Sequence, residues 1–172
     1  MSEKREIAWQ GKWITALRQG SWEFVSRARG IEAVVIVAIE DGHVLLIDQY
    51  RVPLSRRCIE LPAGLIGDEH AGDTVTDAAR RELEEETGYS CTAVEELGFF
   101  HSSPGMVTEG FTLVRASGLT RIGEGGGVSG EDIIVHRVPL AGVPAFIAAK
   151  RSEGTAIDVK ILLVLAESLL SA

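Results

Sequence analysis

Apolar and polar positions change period several times along this chain, and the changes mark out its elements. Residues 31–39 form an almost continuous β-branched and aliphatic run, the pattern of a strand buried on both faces. Asp41-Gly42 interrupts the run as a turn, and residues 43–50 return as a second apolar strand, so the pair predicts a hairpin. Upstream, residues 12–17 and 21–26 predict two shorter strands around Arg18-Gln19-Gly20, with Trp13 and Trp22 on the arms. Residues 51–57 read as a polar loop with a proline, and 58–61 as a short strand ending at Pro62-Ala63-Gly64. A glycine-rich acidic loop, 67–73, follows. From Thr74 to Gly88 the period becomes helical, and Gly88 is a good C-terminal cap. Strands are predicted at 92–100, 111–117 and 132–138. They are separated by a loop, 101–110, that carries Pro104 and Gly105, and by a mobile glycine-rich surface loop, 121–130. Helices over 140–150 and 157–170 close the chain, the second with Ile161, Leu162, Leu165 and Leu169 on its apolar face. The order predicts an α/β fold: a mixed sheet flanked by helices, with a β-hairpin in front.

Angles on the 74–88 helix expose its chemistry. At about 100° per residue, Val75, Ala78 and Ala79 form one stripe; Glu82 and Glu86 fall within it, Glu85 at its edge and Glu84 opposite. An acidic run is ordinarily a solvated helix face. Here three acids point toward the core, where they repel one another and lose hydration unless positive charge sits among them. A divalent cation answers that requirement.

Composition narrows the partners. The 172 residues suit a single domain, and 45% hydrophobic with 24% charged residues is the balance of a globular protein. A net charge of −8 argues against a nucleic-acid backbone as partner but leaves open a small phosphorylated ligand. The opening Met-Ser-Glu-Lys-Arg-Glu has no apolar signal-peptide core, and the apolar stretch 161–170 is too short to span a bilayer and is interrupted by Glu167. The expectation is a cytoplasmic protein with no membrane partner, in which Cys58 and Cys91 stay reduced.

Asp73, seven residues, Arg81-Glu82-Leu83, one residue, Glu85-Glu86, one residue and Gly88-Tyr89 form a spaced pattern. It resembles the signature box of the Nudix hydrolases, which cleave nucleoside diphosphates linked to another moiety. Two departures stand out. Asp73 replaces a glutamate, and Gly64 lies three residues too far upstream while Gly67 has the expected gap, as a small loop insertion would give. The resemblance extends to Ile47-Asp48-Gln49-Tyr50-Arg51, Glu60-Leu61-Pro62-Ala63-Gly64, Ser103-Pro104-Gly105 with Glu109 beyond, and Glu131-Asp132. Pro104 stands where the ADP-ribose pyrophosphatase type carries a proline; GDP-mannose hydrolases share most of these features.

The resemblance implies a Nudix-like α/β/α sandwich, with residues 1–30 as a hairpin extension reaching a neighbour in a homodimer and 31–172 as the hydrolase domain. It implies Mg²⁺, or Mn²⁺, held by Glu82, Glu85, Glu86 and the Ala63 carbonyl, a hard oxygen set suited to such ions. Arg81 would orient the cluster through an ion pair with Asp73 or Glu85. Glu109 is the candidate general base, on a loop able to close over substrate, with Glu86 or Glu85 as alternatives. Arg51, at a strand end, would reach substrate phosphates, as Arg56 and Arg57 would more weakly. Trp22, with Trp13, offers a face for stacking a nucleobase, or equally for hairpin packing or dimer contact. His70 and His101 carry no defined role. The implied reaction is hydrolysis of ADP-ribose to AMP and ribose 5-phosphate, with GDP-mannose or another nucleotide sugar as the alternative and a non-catalytic nucleotide sensor as the remaining one.

Overall fold

Strand β4, Glu32–Glu40, organises the molecule, and its run of β-branched residues is explained by burial on both faces. In the computed structural model, which describes residues 4–28, 31–67, 72–128 and 130–165, side chains alternate along this strand. Val35 and Val37 enter one apolar cluster with Leu46, Leu61, Leu113 and Ile161. Val34, Ile36 and Ala38 enter another with Ala78, Ala79 and Leu83. The second cluster is covered by helix α1, Val75–Thr87, and the first by helix α2, Val143–Ser152, through Phe146 and Ile147. The predicted α/β arrangement is therefore present, a mixed sheet between helices.

Strand β5, His43–Arg51, meets β4 only beside the turn, at Ile39↔Val44 and Glu40↔His43. The two then diverge. β4 goes on to pair with β7, Ala63–Ile66, and in parallel with β10, Gly110–Ser117; β10 takes β9, Ala93–His101, on its far side. β5 pairs with β6, Arg56–Glu60, and with β12, Ile133–Pro139, and β6 carries β13, Ala156–Ile157. The divergence opens a wedge between the start of β4 and the end of β5.

α1 begins as its sequence dictates. The Thr74 hydroxyl accepts the Asp77 N–H at 3.2 Å, and the Asp77 carboxylate accepts the Thr74 N–H at 3.2 Å, a reciprocal capping box. The helix ends at Gly88, whose φ of 73° is left-handed.

Several expectations are corrected. The N-terminal hairpin is a three-stranded sheet: β1, Glu6–Gln10, joins β2, Ile14–Gln19, and β3, Trp22–Arg27. Residues 51–57 are not all loop, since a 3-10 turn at Val52–Leu54 leads into β6. Ala63 and Gly64, expected only to end the 58–61 strand, open a further strand, β7. Residues 157–165 do not begin a helix of the α type: Ile157 ends β13, and Val159–Leu165 is a 3-10 helix; the rest of that prediction, with Glu167 and Leu169, lies outside the described residues, as does His70. Two-residue strands β8, Tyr89–Ser90, and β11, Thr120–Arg121, pair with each other. Among the described residues, no helix is long and apolar enough to cross a membrane.

Residues 122–127 of the glycine-rich segment predicted to be mobile are docked on the end of α1. Gly126 and Gly127 N–H groups donate to the Glu86 and Glu85 carbonyls at 3.0 and 2.9 Å, and Ile122 and Gly123 N–H groups reach the Gly88 carbonyl at 2.8 and 3.0 Å. These are carbonyls that a helix end leaves without intrahelical partners. The glycines permit the fit: a Cβ on Gly125 would collide with the Thr87 backbone, and one on Gly88 with the Gly123 carbonyl.

Candidate active site

Within the wedge lies a cleft of about 430 Å³, half of whose lining residues are charged. α1 contributes Arg81, Glu82, Glu85 and Glu86, and β7 contributes Ala63 and Gly64. Arg51 and Gln49 come from β5 and Glu60 from β6, while Glu109, Arg27, Glu131 and Lys160 arrive from four other segments.

The helical angles hold. Glu86 is buried at 5% exposure and accepts the Ala63 N–H at 2.9 Å, while Glu84 faces solvent. Burial pushes the Glu86 carboxyl up to about 8; the charges of Glu82 and Glu131 add to the rise, and the Ala63 N–H and Arg51 oppose it. Glu82 is raised too, by burial first, with Arg81 opposing. Arg81 holds the cluster from within: Nη1 is 2.7 Å from Glu82 Oε1 and 3.9 Å from Glu85, and Nη2 is 3.4 Å from Asp73. Both partners expected for Arg81 are present. Gly64 is the glycine this site needs, because a Cβ there would collide with the Glu82 carboxyl. Gly67 has a φ of 77°, with nothing within 4 Å of where a Cβ would stand.

Arg51 lines the cleft, but its guanidinium is already forked onto Glu60, Nε–Oε1 at 2.7 Å and Nη2–Oε2 at 2.8 Å. Glu109 also lines it, in an ion pair with Arg27. Four expected residues are not brought in. Arg56, opposite Arg51 at the outer start of β6, is exposed and donates to the Leu54 carbonyl at 3.3 Å. Trp22 is 63% exposed on the N-terminal sheet, and Pro104 is exposed at the tip of its loop. Arg57 is bound to Asp48 and Asp132 instead. His101 is exposed, edge-on to Phe99. Arg27 and Lys160 went unread in the sequence, because no local spacing links residues 27 and 160 to the box at 81–89.

The donor set suits a hard divalent cation: carboxylates share one wall, and desolvation raises both Glu82 and Glu86 from the ordinary carboxylate value. They are not gathered into a finished shell, since among the described residues no three Asp, Glu, His or Cys side chains converge as a metal-holding group. Arg81, standing among Glu82, Glu85 and Asp73, supplies the compensating charge in this geometry.

The model of the NUDIX domain matches residues 29–133. The chain belongs to the Nudix family. It is 38% identical over 109 residues to the methanol dehydrogenase activator of Bacillus methanolicus, covering 63% of this chain and 57% of that protein. It is 38% identical over 78 residues to the ADP-ribose pyrophosphatase of Bacillus subtilis, 45% of this chain and 40% of the relative. It is 34% identical over 151 residues to the GDP-mannose pyrophosphatase of Cronobacter sakazakii, 83% and 74%. The chain spans about half the length of the first curated relatives it matches. A solved structure described as an ADP compounds hydrolase superposes with a TM-score of 0.73 over 99% of this chain and 94% of that one, at 24% identity, a likeness of fold. In this Nudix chain the box acids, Arg81, Arg51 and Glu109 line one cleft.

Proposed function

We propose that this Nudix chain hydrolyses the pyrophosphate bond of a nucleoside diphosphate derivative, with ADP-ribose, split to AMP and ribose 5-phosphate, as the leading substrate. The observation that carries the reading is one wall with two opposite demands. Glu82, Glu85, Glu86 and Glu131 need positive charge, while Arg51 and Lys160 on the same cleft suit an anion. A metal ion with a diphosphate satisfies both. Glu82, Glu85 and Glu86, with the Ala63 carbonyl, would hold Mg²⁺ or Mn²⁺, which when bound supplies charge neutralisation and polarises the phosphate oxygens.

The chain's own groups do the rest. Arg51, fixed by Glu60, presents its remaining guanidinium edge to the cleft for phosphate oxygens. Glu109 takes the proton from the water that attacks phosphorus, while the bridging oxygen keeps the bonding pair as it leaves. Arg81 holds Glu82 and Glu85 in place.

The ADP-ribose pyrophosphatase among the relatives supports the first substrate; the longer match to the GDP-mannose enzyme supports GDP-mannose as the second reading. The same proposal takes residues 1–30 as an extension to a domain over 31–172, a cytoplasmic setting, and a homodimer as the working form. A panel of ADP-ribose, GDP-mannose, NADH and diadenosine polyphosphates with Mg²⁺, scored by kcat/KM, tests it. ADP-ribose should rank first, and turnover of none of them would overturn the proposal.

A further inference from the structure

The N-terminal sheet does more than precede the cleft. β3 pairs with β2 along one edge, and its other edge meets the loop that carries Glu109. The Val25 N–H donates to the Met106 carbonyl at 2.9 Å, and the Thr108 N–H donates to the Val25 carbonyl at 2.9 Å. Both backbone groups of one residue thus clasp the loop, making a parallel bridge between Val25 and Val107. The Thr108 hydroxyl donates to the Ser26 hydroxyl at 2.9 Å. Two residues along from the bridge on each segment, the Arg27 Nε–H donates to Glu109 Oε1. Both side chains line the cleft, and they are 34% and 31% exposed.

The far end of the loop is fixed as well. Gly110 opens β10, and Phe111 is in register with Ala33 of β4. A Cβ on Gly110 would collide with the Phe99 ring, so the chain turns from Glu109 into the central sheet without room to shift. One side of the loop is held by the hydrolase sheet and the other by β3.

The geometry points to the N-terminal sheet as a working part of the site: β3 holds the 103–109 loop in register, and Arg27 is a positioning residue that aims the Glu109 carboxylate into the cleft. The inference rests on the proposed role of Glu109 as base. A base must lie within hydrogen-bond reach of the proton it takes, and a carboxylate on an unanchored loop spreads over several rotamers. Arg27 engages Oε1 of that carboxylate and both side chains line the cleft.

Arg27→Ala, Glu109→Gln, the double variant and Val25→Pro test this, with Arg18→Ala as control; Arg18 pairs with Glu6 on the exposed part of the same sheet. Val25→Pro removes the N–H that clasps the loop, at an edge strand where proline is tolerated. kcat and KM are measured separately on the substrate the panel selects, and amide exchange is followed across 103–109. Arg27→Ala should lower kcat by about 10- to 100-fold, the cost of a misplaced catalytic group, with KM near wild type. The double variant should be no slower than Glu109→Gln, Val25→Pro should speed exchange across 103–109, and Arg18→Ala should change neither kcat nor exchange. Additive losses in the double variant, or a raised KM with kcat intact, would overturn the positioning role. If wild type turns over no substrate, the proposed function fails, and the exchange measurement alone decides the clasp: unchanged protection in Val25→Pro overturns it, and lost protection upholds it.

Discussion

Burial and charge meet most sharply at Glu86. Its carboxyl is raised from 4.5 to about 8, burial being the main cause, so the folded, metal-free chain holds this proton more tightly than the unfolded chain does. The sign follows: the contribution to stability is full below about pH 4.5 and is lost as pH rises through about 8. Metal-free protein should therefore show a urea midpoint that falls between pH 5 and pH 9. Glu86→Gln should remove that part of the fall, gaining on the order of a few kcal/mol at pH 9, while cutting turnover by orders of magnitude. Mg²⁺ should restore the pH 9 midpoint of wild type and do little for the variant. A midpoint independent of pH in EDTA would contradict the assignment. Glu109→Gln should behave differently, depressing kcat while leaving Mg²⁺ affinity, measured by calorimetry, unchanged. Glu82, Glu85 and Glu86 were legible because one helical period fixes their angles. Arg27, Lys160 and Glu131 reach the same cleft from residues tens of positions away, where no local period operates. Arg56 and Trp22 failed as candidates because residue type alone does not say how near the cleft a strand position lies, and both are exposed outside it.

At the level of elements, the end of α1 depends on a segment far from it in sequence. Gly125 has a φ of 68° and packs against the Thr87 backbone, whereas Gly123 has open space where a Cβ would go. Gly125→Ala should cost about 1–3 kcal/mol, the usual range for a strained or colliding substitution, and Gly123→Ala should lie within about 0.5 kcal/mol of wild type. Urea denaturation of the pair checks this, with equal midpoints as the disproof. Because Gly126 and Gly127 bond the carbonyls of Glu86 and Glu85 themselves, kcat should fall with stability in Gly125→Ala and not in Gly123→Ala. α1 was readable from both ends, since Thr74, Asp77 and Gly88 carry capping chemistry in their side chains or lack of one. The glycines at 123–127 announced a loop, but its partners are backbone carbonyls, which leave no mark in a residue pattern. The 3-10 helix Val159–Leu165 was misread for a related reason: its apolar residues suit either helix type, and packing of Ile161 and Val164 into the core decides.

At the scale of the whole molecule, the pairing of β10 with β4 joins segments far apart in sequence, and no alternation of residues announces it. The layers could be read from element order; the neighbours within the sheet could not. The N-terminal sheet poses the remaining question, because it presents Ile7 and Trp22 at 63% exposure with Trp9 at 57%. Large apolar side chains gathered on one small sheet are a surface that water disfavours, and association of like chains is the commonest way to cover it. The proposed homodimer places that surface at the contact. Trp9→Glu and Trp22→Glu each put a charge where a dry contact is required, so both variants should elute and scatter as particles of half the wild-type mass in light-scattering chromatography. Arg18→Glu, which alters charge but no apolar area, should leave the mass unchanged. Wild type running as a single chain across the micromolar range would refute the dimer, and it would leave the cleft, built within one chain, untouched.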